Sequence, residues 1–158
     1  MIIRDLEEVD FGPLSRFILD MYSDYPDALW FDSAPSREVL SEIFMRKLYS
    51  MGRHDLIDMV AVEGEDIIGE CEIVRLSSGT GYVGIIVSKD NRRKGLGSTL
   101  LKLSEMSSIS MGIQALYAEV KKSNIAALAF FKSAGFVTMP SSEKPDKDLF
   151  ILSKKLLV

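Results

Sequence analysis

Apolar positions along this chain recur first at helical spacing, then in alternation, then at helical spacing again. Met1 to Arg4 reads as a short strand, Asp5 to Asp10 as a polar turn, and a helix follows to about Tyr22 with Pro13 in its first turn. Ser33 or Ser36 caps a second helix whose broad inner face carries Val39, Leu40, Ile43, Phe44, the stem of Lys47, and Leu48, and which ends near Gly52. From Asp58 the period becomes that of strands. Met59 to Glu63 and Ile67 to Arg75 flank a hairpin turn at Gly64-Glu65-Asp66, and Ser77 to Gly81 lead into a third strand, Tyr82 to Val87. Leu96, Leu100, Leu101, Leu103 and Met106 then mark a helix from Gly97 to near Met111-Gly112. A strand from Gln114 to Lys121 follows, then a short helix capped at Ser123-Asn124 and closed by Gly135 as a glycine just past a helix end would close it. Phe136 to Met139 and Leu149 to Leu152 are the last strands, joined by a charged loop. This order predicts an α/β (α+β) fold with a mixed sheet and right-handed crossovers, in one domain over residues 1–158.

One junction carries the candidate chemistry. Between the strand ending at Val87 and the next helix stand Arg92, Arg93 and Lys94, followed by Gly95-Leu96-Gly97-Ser98. A helix start presents amide protons without helical partners and the positive end of the macrodipole, so it favours an anion. Gly95 and Gly97 lack the side chains that would hold phosphate oxygens away from the backbone. The nucleoside-triphosphate loop needs a lysine directly after its last glycine, and here Ser98-Thr99 follow Gly97. The dinucleotide fingerprint needs a third glycine where Leu100 stands. What remains is Arg92-x-x-Gly95-x-Gly97.

Composition narrows the partners. The 158 residues carry a net charge of −4, so the basic run at 92–94 is local and a general nucleic-acid binder is disfavoured. One cysteine excludes an intramolecular disulfide and any multi-cysteine metal site. There is no apolar run of spanning length and no leader-like start at Met1, so a soluble cytoplasmic protein without membrane partners is expected.

The Arg92-x-x-Gly95-x-Gly97 turn resembles the pyrophosphate loop of the Gcn5-related N-acetyltransferases, which move an acyl group from coenzyme A to an amine. A second segment, Tyr117 to Phe136, is similar to that family's pattern of strand, asparagine (Asn124), alanine, aromatic (Phe131) and Gly135-Phe136. The two motifs stand in the family's order. The element order matches too, although the N-terminal 57 residues match by that order alone. Within the family, the run Glu119-Val120-Lys121-x-Ser123-Asn124 is most similar to the branch that acetylates protein N-termini, ribosomal-protein alanine acetyltransferases included.

The resemblance implies the acyl-CoA N-acyltransferase fold, with about six to seven strands and about four helices, splayed between the strands at 82–87 and 114–121. It implies acetyl-CoA as co-substrate, no metal, and an amine acceptor: a peptide N-terminus or a small molecule such as a polyamine or antibiotic. Arg92, Arg93, Lys94, Gly95, Leu96, Gly97 and Ser98 would hold the pyrophosphate, and Ile85, Ile86 and Val87 would pair their strand edge with pantetheine. Asn124 would bond pantetheine as well as cap its helix, and Phe131 would flank the cofactor or simply pack. Glu119 matches the carboxylate that takes the amine's proton, with Glu70 and Glu72 as runners-up that otherwise line an exposed sheet face. The thiolate's usual proton donor is a tyrosine seven residues after the asparagine, where this chain has Phe131. Tyr117, Tyr82 or water could substitute, and direct attack does not strictly require the acid, since a coenzyme A thiolate is a tolerable leaving group. That departure keeps a second class open, an acyl-CoA-binding regulatory module without turnover. His54 and Cys71 read as structural, Lys132 as a surface residue or a contact to the nucleotide's 3′-phosphate, and the aromatic, acidic stretch from Asp24 to Asp32 as a wall for a cationic acceptor or a solvated loop. Exposed sheet edges make a homodimer reasonable.

Overall fold

The computed structural model describes residues 1–25 and 31–156, so most of the stretch from Asp24 to Asp32 lies outside the described residues. Seven strands form one sheet: β1 (Ile2–Asp5), β2 (Leu56–Glu63), β3 (Asp66–Arg75), β4 (Thr80–Val87), β5 (Ala115–Lys121), β6 (Val137–Thr138) and β7 (Leu149–Lys155). Their order is β1-β2-β3-β4-β5-β7-β6. Among the described residues four α-helices accompany them: α1 (Phe11–Asp24), α2 (Arg37–Gly52), α3 (Leu96–Ser110) and α4 (Ile125–Ser133). This is the mixed sheet with four helices that the element order calls for. No helix among the described residues is long and apolar enough to cross a membrane.

The residues group into two compact units, Met1–Glu72 with Ile85–Ser104, and Ile73–Gly84 with Glu105–Val158. In the first, β1 runs antiparallel to β2 with Ile3 opposite Ala61. Helix α1 buries Leu14, Phe17 and Met21, one stripe at helical spacing, in a cluster with Leu6, Phe44, Val60 and Ile67. The Ser36 hydroxyl accepts the Val39 amide at 3.2 Å and starts α2, so Ser36 and not Ser33 is the cap. Gly69 lets α3 lie close against β3, because a Cβ there would stand 2.9 Å from Leu100 Cδ1. Arg4 clamps Asp10 through two bonds of 2.7 and 2.9 Å, and that guanidinium holds the Asp10 carboxyl below the usual carboxylate range.

In the second unit β5 pairs antiparallel with β7 over its whole length, Ala115 opposite Lys155 through Lys121 opposite Leu149. That pairing carries β7 to Lys155, three residues beyond the end its apolar run suggests, because Ser153, Lys154 and Lys155 satisfy the ladder through their backbones. Gly81 fits where a Cβ would stand 2.8 Å from Ile73 Cγ2. The parallel β4–β5 ladder covers Thr80–Tyr82 against Ala115–Tyr117, and among the described residues it ends there.

Two expectations need correction. Strand β2 begins at Leu56 and holds Asp58 fully buried, whereas the alternation places the strand after Asp58. Glu70 is also buried, so it does not line an exposed face. Both residues have the same physical cause, given below.

Candidate functional site

The basic turn folds as a cradle. After β4 a single turn of tight helix, Lys89–Asn91, is held by the Asn91 side-chain amide donating to Ser88 Oγ at 2.7 Å. Arg93 and Gly95 then both adopt left-handed backbone, φ 61° and 80°. Left-handed residues in such a turn curl successive amides into a concave row that suits an anion. Glycine takes that conformation freely, whereas Arg93 does so at a cost of about 1–2 kcal/mol. The Gly95 carbonyl accepts both the amide and the hydroxyl of Thr99, at 3.1 and 3.0 Å, and so begins α3. Leu96, Gly97 and Ser98 therefore form the first turn, whose amides have no helical acceptor. Leu96 is buried and seats the turn, while Arg93, Lys94 and Ser98 are exposed.

Arg92 has a different task from its neighbours. Its Nε donates to the Val87 carbonyl at 3.0 Å, and its guanidinium lies 4.1 Å from the Tyr25 ring centre. It braces the end of β4 against the residue that follows α1. Arg93 and Lys94 make no ion pair among the described residues, so they carry the charge of the cradle outward. Ile85, Ile86 and Val87, the expected pantetheine edge, are half-buried on β4.

In the second unit, alternation on β5 buries Leu116, Ala118 and Val120 and turns Tyr117, Glu119 and Lys121 to the other face. Glu119 is exposed and Tyr117 half-buried, so the two residues expected to handle protons share a strand face. Asn124 caps α4, its Oδ1 accepting the Ala127 amide at 3.2 Å. At the other end of α4 the Phe136 amide reaches the Phe131 carbonyl and the Gly135 amide reaches that of Lys132, with Gly135 at φ 96°. This double bond pattern carries a hydrophobic contact between the residues it joins, and here the Phe131 and Phe136 rings meet edge-on at 5.1 Å. Phe130 meets Phe131 in the same manner at 5.3 Å. The ring at the usual tyrosine position is thus 5% exposed and forms part of a helix cap. Lys132 and His54 are exposed, and Cys71 is buried, its thiol pushed up to about 12 by that burial.

The first unit holds a cluster that pattern reading did not assemble. Lys47 Nζ lies 2.8 Å from Asp58 Oδ2, 2.9 Å from Glu70 Oε2 and 2.7 Å from Glu72 Oε2. The buried stripe of α2 runs Leu40, Phe44, Lys47, so the helix period itself drives the ammonium inward. Burial alone would lower the Lys47 pKa, but the charges of Glu70, Asp58 and Glu72 outweigh it and hold the ammonium protonated. Burial, and then the charge of Glu70, push the Asp58 carboxyl well up. Its Oδ1 is buried without a hydrogen bond, which favours the protonated form of Asp58 over a further buried charge. The three carboxylates could in principle ligate a metal, but the Lys47 ammonium already stands among them.

A raised carboxyl pKa contributes stability that is complete below the unfolded value and declines as pH rises toward the folded one. Asn in place of Asp58 mimics the protonated acid and removes that decline. Asp58→Asn is therefore expected to match the parent near pH 4 and to exceed it increasingly up to pH 9 in thermal unfolding, by about 2–4 °C for each 1 kcal/mol. Equal alkaline losses in both proteins would refute the raised Asp58 carboxyl.

The chain belongs to the Acetyltransferase (GNAT) family, whose profile it matches over residues 16–136, and whose members are acetyl-CoA-dependent N-acetyltransferases. No curated relative matches it. Among solved structures, the GNAT domain of S. lividans PAT superposes with a TM-score of 0.81 at 19% identity, covering 98% of this chain and 89% of that one. A ribosomal-protein-alanine N-acetyltransferase from Brucella melitensis gives 0.77 at 19% identity over the full length of both chains. The putative acetyltransferase yncA from Salmonella typhimurium, solved with acetyl-CoA, also gives 0.77 at 19%, covering 100% of this chain and 95% of that one. At such identity these likenesses establish the fold.

Proposed function

We propose that this protein transfers the acetyl group of acetyl-CoA to a primary amine by direct attack, with a peptide N-terminus as the acceptor class the Glu119 to Asn124 run favours. The observation that carries the reading is the cradle, a left-handed turn at Arg93 and Gly95 opening a helix, with two exposed cations beside it. An open space beside Gly95, where a Cβ would meet nothing within 4 Å, fits a pyrophosphate approaching the backbone. Leu96 to Ser98 would donate amides to it, and Arg93 and Lys94 would screen its charge. Ile85 and Ile86 would offer strand-edge groups to the pantetheine amides, and Asn124 would add a side-chain contact.

Acetyl-CoA supplies a thioester carbonyl open to a nitrogen nucleophile. What the protein adds is orientation and a place for protons. Glu119 holds the proton that the acceptor ammonium must lose before its nitrogen can attack. The departing thiolate is a tolerable leaving group near neutral pH, so Tyr117 or water suffices as its proton source.

A second reading rests on Phe131. The family's usual proton donor is replaced here by a buried ring fixed in a helix cap, which fits an acyl-CoA-binding module without turnover. The deciding experiment follows coenzyme A thiol release from acetyl-CoA across peptides with free N-termini, lysine side chains and polyamines. Acceptor-dependent release establishes the enzyme and ranks the acceptors. Tight acetyl-CoA binding without release for any amine favours the binding module.

A further inference from the structure

Arg92 stands five residues after Val87, yet its Nε donates to the Val87 carbonyl at 3.0 Å. That bond closes the connection between β4 and the cradle into a loop. The loop is also braced from within, where the Asn91 amide donates to the Ser88 carbonyl at 3.0 Å and its side chain to Ser88 Oγ. The Ser88 amide in turn donates to the Ile68 carbonyl at 2.9 Å, which ties the strand end to β3. Every one of these residues belongs to the first compact unit.

The guanidinium has a second anchor in the same unit. Its carbon lies 4.1 Å from the centre of the Tyr25 ring, a cation over an aromatic face. Tyr25 is itself held, its amide donating to the Met21 carbonyl at 2.8 Å at the end of α1. It also packs against the apolar cluster of Leu14, Phe17 and Phe44, as Ile86 does. Arg92 thus joins the last residue of β4 to a fixed point of the core, directly before the cradle. A planar guanidinium can offer Nε to a carbonyl and its face to a ring at once, which a lysine ammonium cannot.

We infer that Arg92 is a positioning residue that sets the spacing between the β4 edge and the phosphate cradle, and that Tyr25 holds it in that role. This rests on the acetyltransferase reading and deepens it. Acetyl-CoA would engage both places, its pantetheine arm on β4 and its pyrophosphate at Gly95 to Ser98. A ligand held at two points gains from the second only when the protein keeps them at the ligand's own separation. Arg92 supplies that constraint, and the charge of the phosphates is met by Arg93 and Lys94, which make no ion pair among the described residues. The two possible roles of Arg92 differ in their reach. A phosphate ligand acts on any pyrophosphate, whereas a spacing clamp acts only on a ligand that uses both points.

The test compares the affinities of the intact protein for acetyl-CoA and for inorganic pyrophosphate, measured by calorimetry. Arg92→Met is expected to weaken acetyl-CoA about tenfold, one charged hydrogen bond's worth, and to leave pyrophosphate unchanged. The unchanged pyrophosphate also shows that the cradle is still folded. Lys94→Met should weaken both ligands. Tyr25→Leu should weaken acetyl-CoA alone, by about two- to fivefold, and Tyr25→Phe should restore it because the ring is kept. Ionic strength gives a second readout: added salt should weaken acetyl-CoA as steeply in Arg92→Met as in wild type, and less steeply in Lys94→Met. Equal losses of both ligands in Arg92→Met, or a flattened salt dependence there, would make Arg92 a phosphate ligand and overturn the clamp. Unchanged acetyl-CoA affinity in Arg92→Met overturns it too. Thiol release from acetyl-CoA across the amine panel reads the enzyme separately. The expected affinities without release for any amine keep the clamp and end the transferase reading, and release with equal losses of both ligands does the reverse.

Discussion

Lys47→Met is expected to destabilise this protein by about 3–5 kcal/mol, the usual cost of removing one partner from a buried ion cluster. Methionine fills nearly the same volume, so the loss is electrostatic and not a cavity effect. Three carboxyl groups that now share an ammonium at 2.7–2.9 Å would face one another alone. The variant can relieve this only by binding protons. Its deficit should therefore shrink as pH falls and grow as pH rises, since stability bound to raised carboxyl pKa values is lost on the alkaline side. Thermal unfolding across that range reads the effect, which corresponds to a drop on the order of 10 °C for a domain of this size. Adding Asp58→Asn and Glu70→Gln should restore most of the loss, because hydrogen-bonded neutral groups replace repelling charges. A Lys47→Met protein as stable as its parent at high pH would show that the cluster contributes nothing.

The second large effect concerns rate. Glu119→Gln is expected to lower kcat by about 10²-fold or more, the lower range for loss of a positioned general base. Glu119 is exposed on β5, so neither folding nor acetyl-CoA affinity should change. The pH profile separates the roles. Without the base, the amine must arrive already deprotonated, so the remaining activity should climb with pH toward the acceptor's own pKa. An unchanged kcat would remove Glu119 from the mechanism and return the search to Tyr117 and water.

Most of the fold was legible because its elements carry strong periods and clear punctuation. Ser36, Asn124 and Gly135 each stand where the sequence places a cap, and the structure shows the bond each one makes. The cradle was legible for the same reason, since Gly95 and the basic run interrupt two strongly patterned segments. The ion cluster was not. An aspartate at the start of an apolar strand reads as the residue just before it, and a lysine on an apolar helix stripe reads as a stem with its charge reaching outward. Each misreading assumes the other partner absent. The available signal was their conjunction, an inward-facing lysine with acidic residues at alternate positions of a strand. No pattern on one segment contains that information, because the partners are 11 to 25 residues apart along the chain. The braced position of Arg92 escaped for a similar reason, as Tyr25 belongs to a distant helix end.

The state of Cys71 has a practical consequence. It is the sole thiol of the chain, wholly enclosed, and held in its protonated form at every ordinary working pH. Alkylating and disulfide-exchange reagents attack thiolates, so the native protein is silent to them. Chromogenic thiol reagents therefore read liberated coenzyme A without a protein background. By the same chemistry, a cysteine placed anywhere on the surface becomes a unique attachment point for a fluorophore or spin label, with no native residue to remove first.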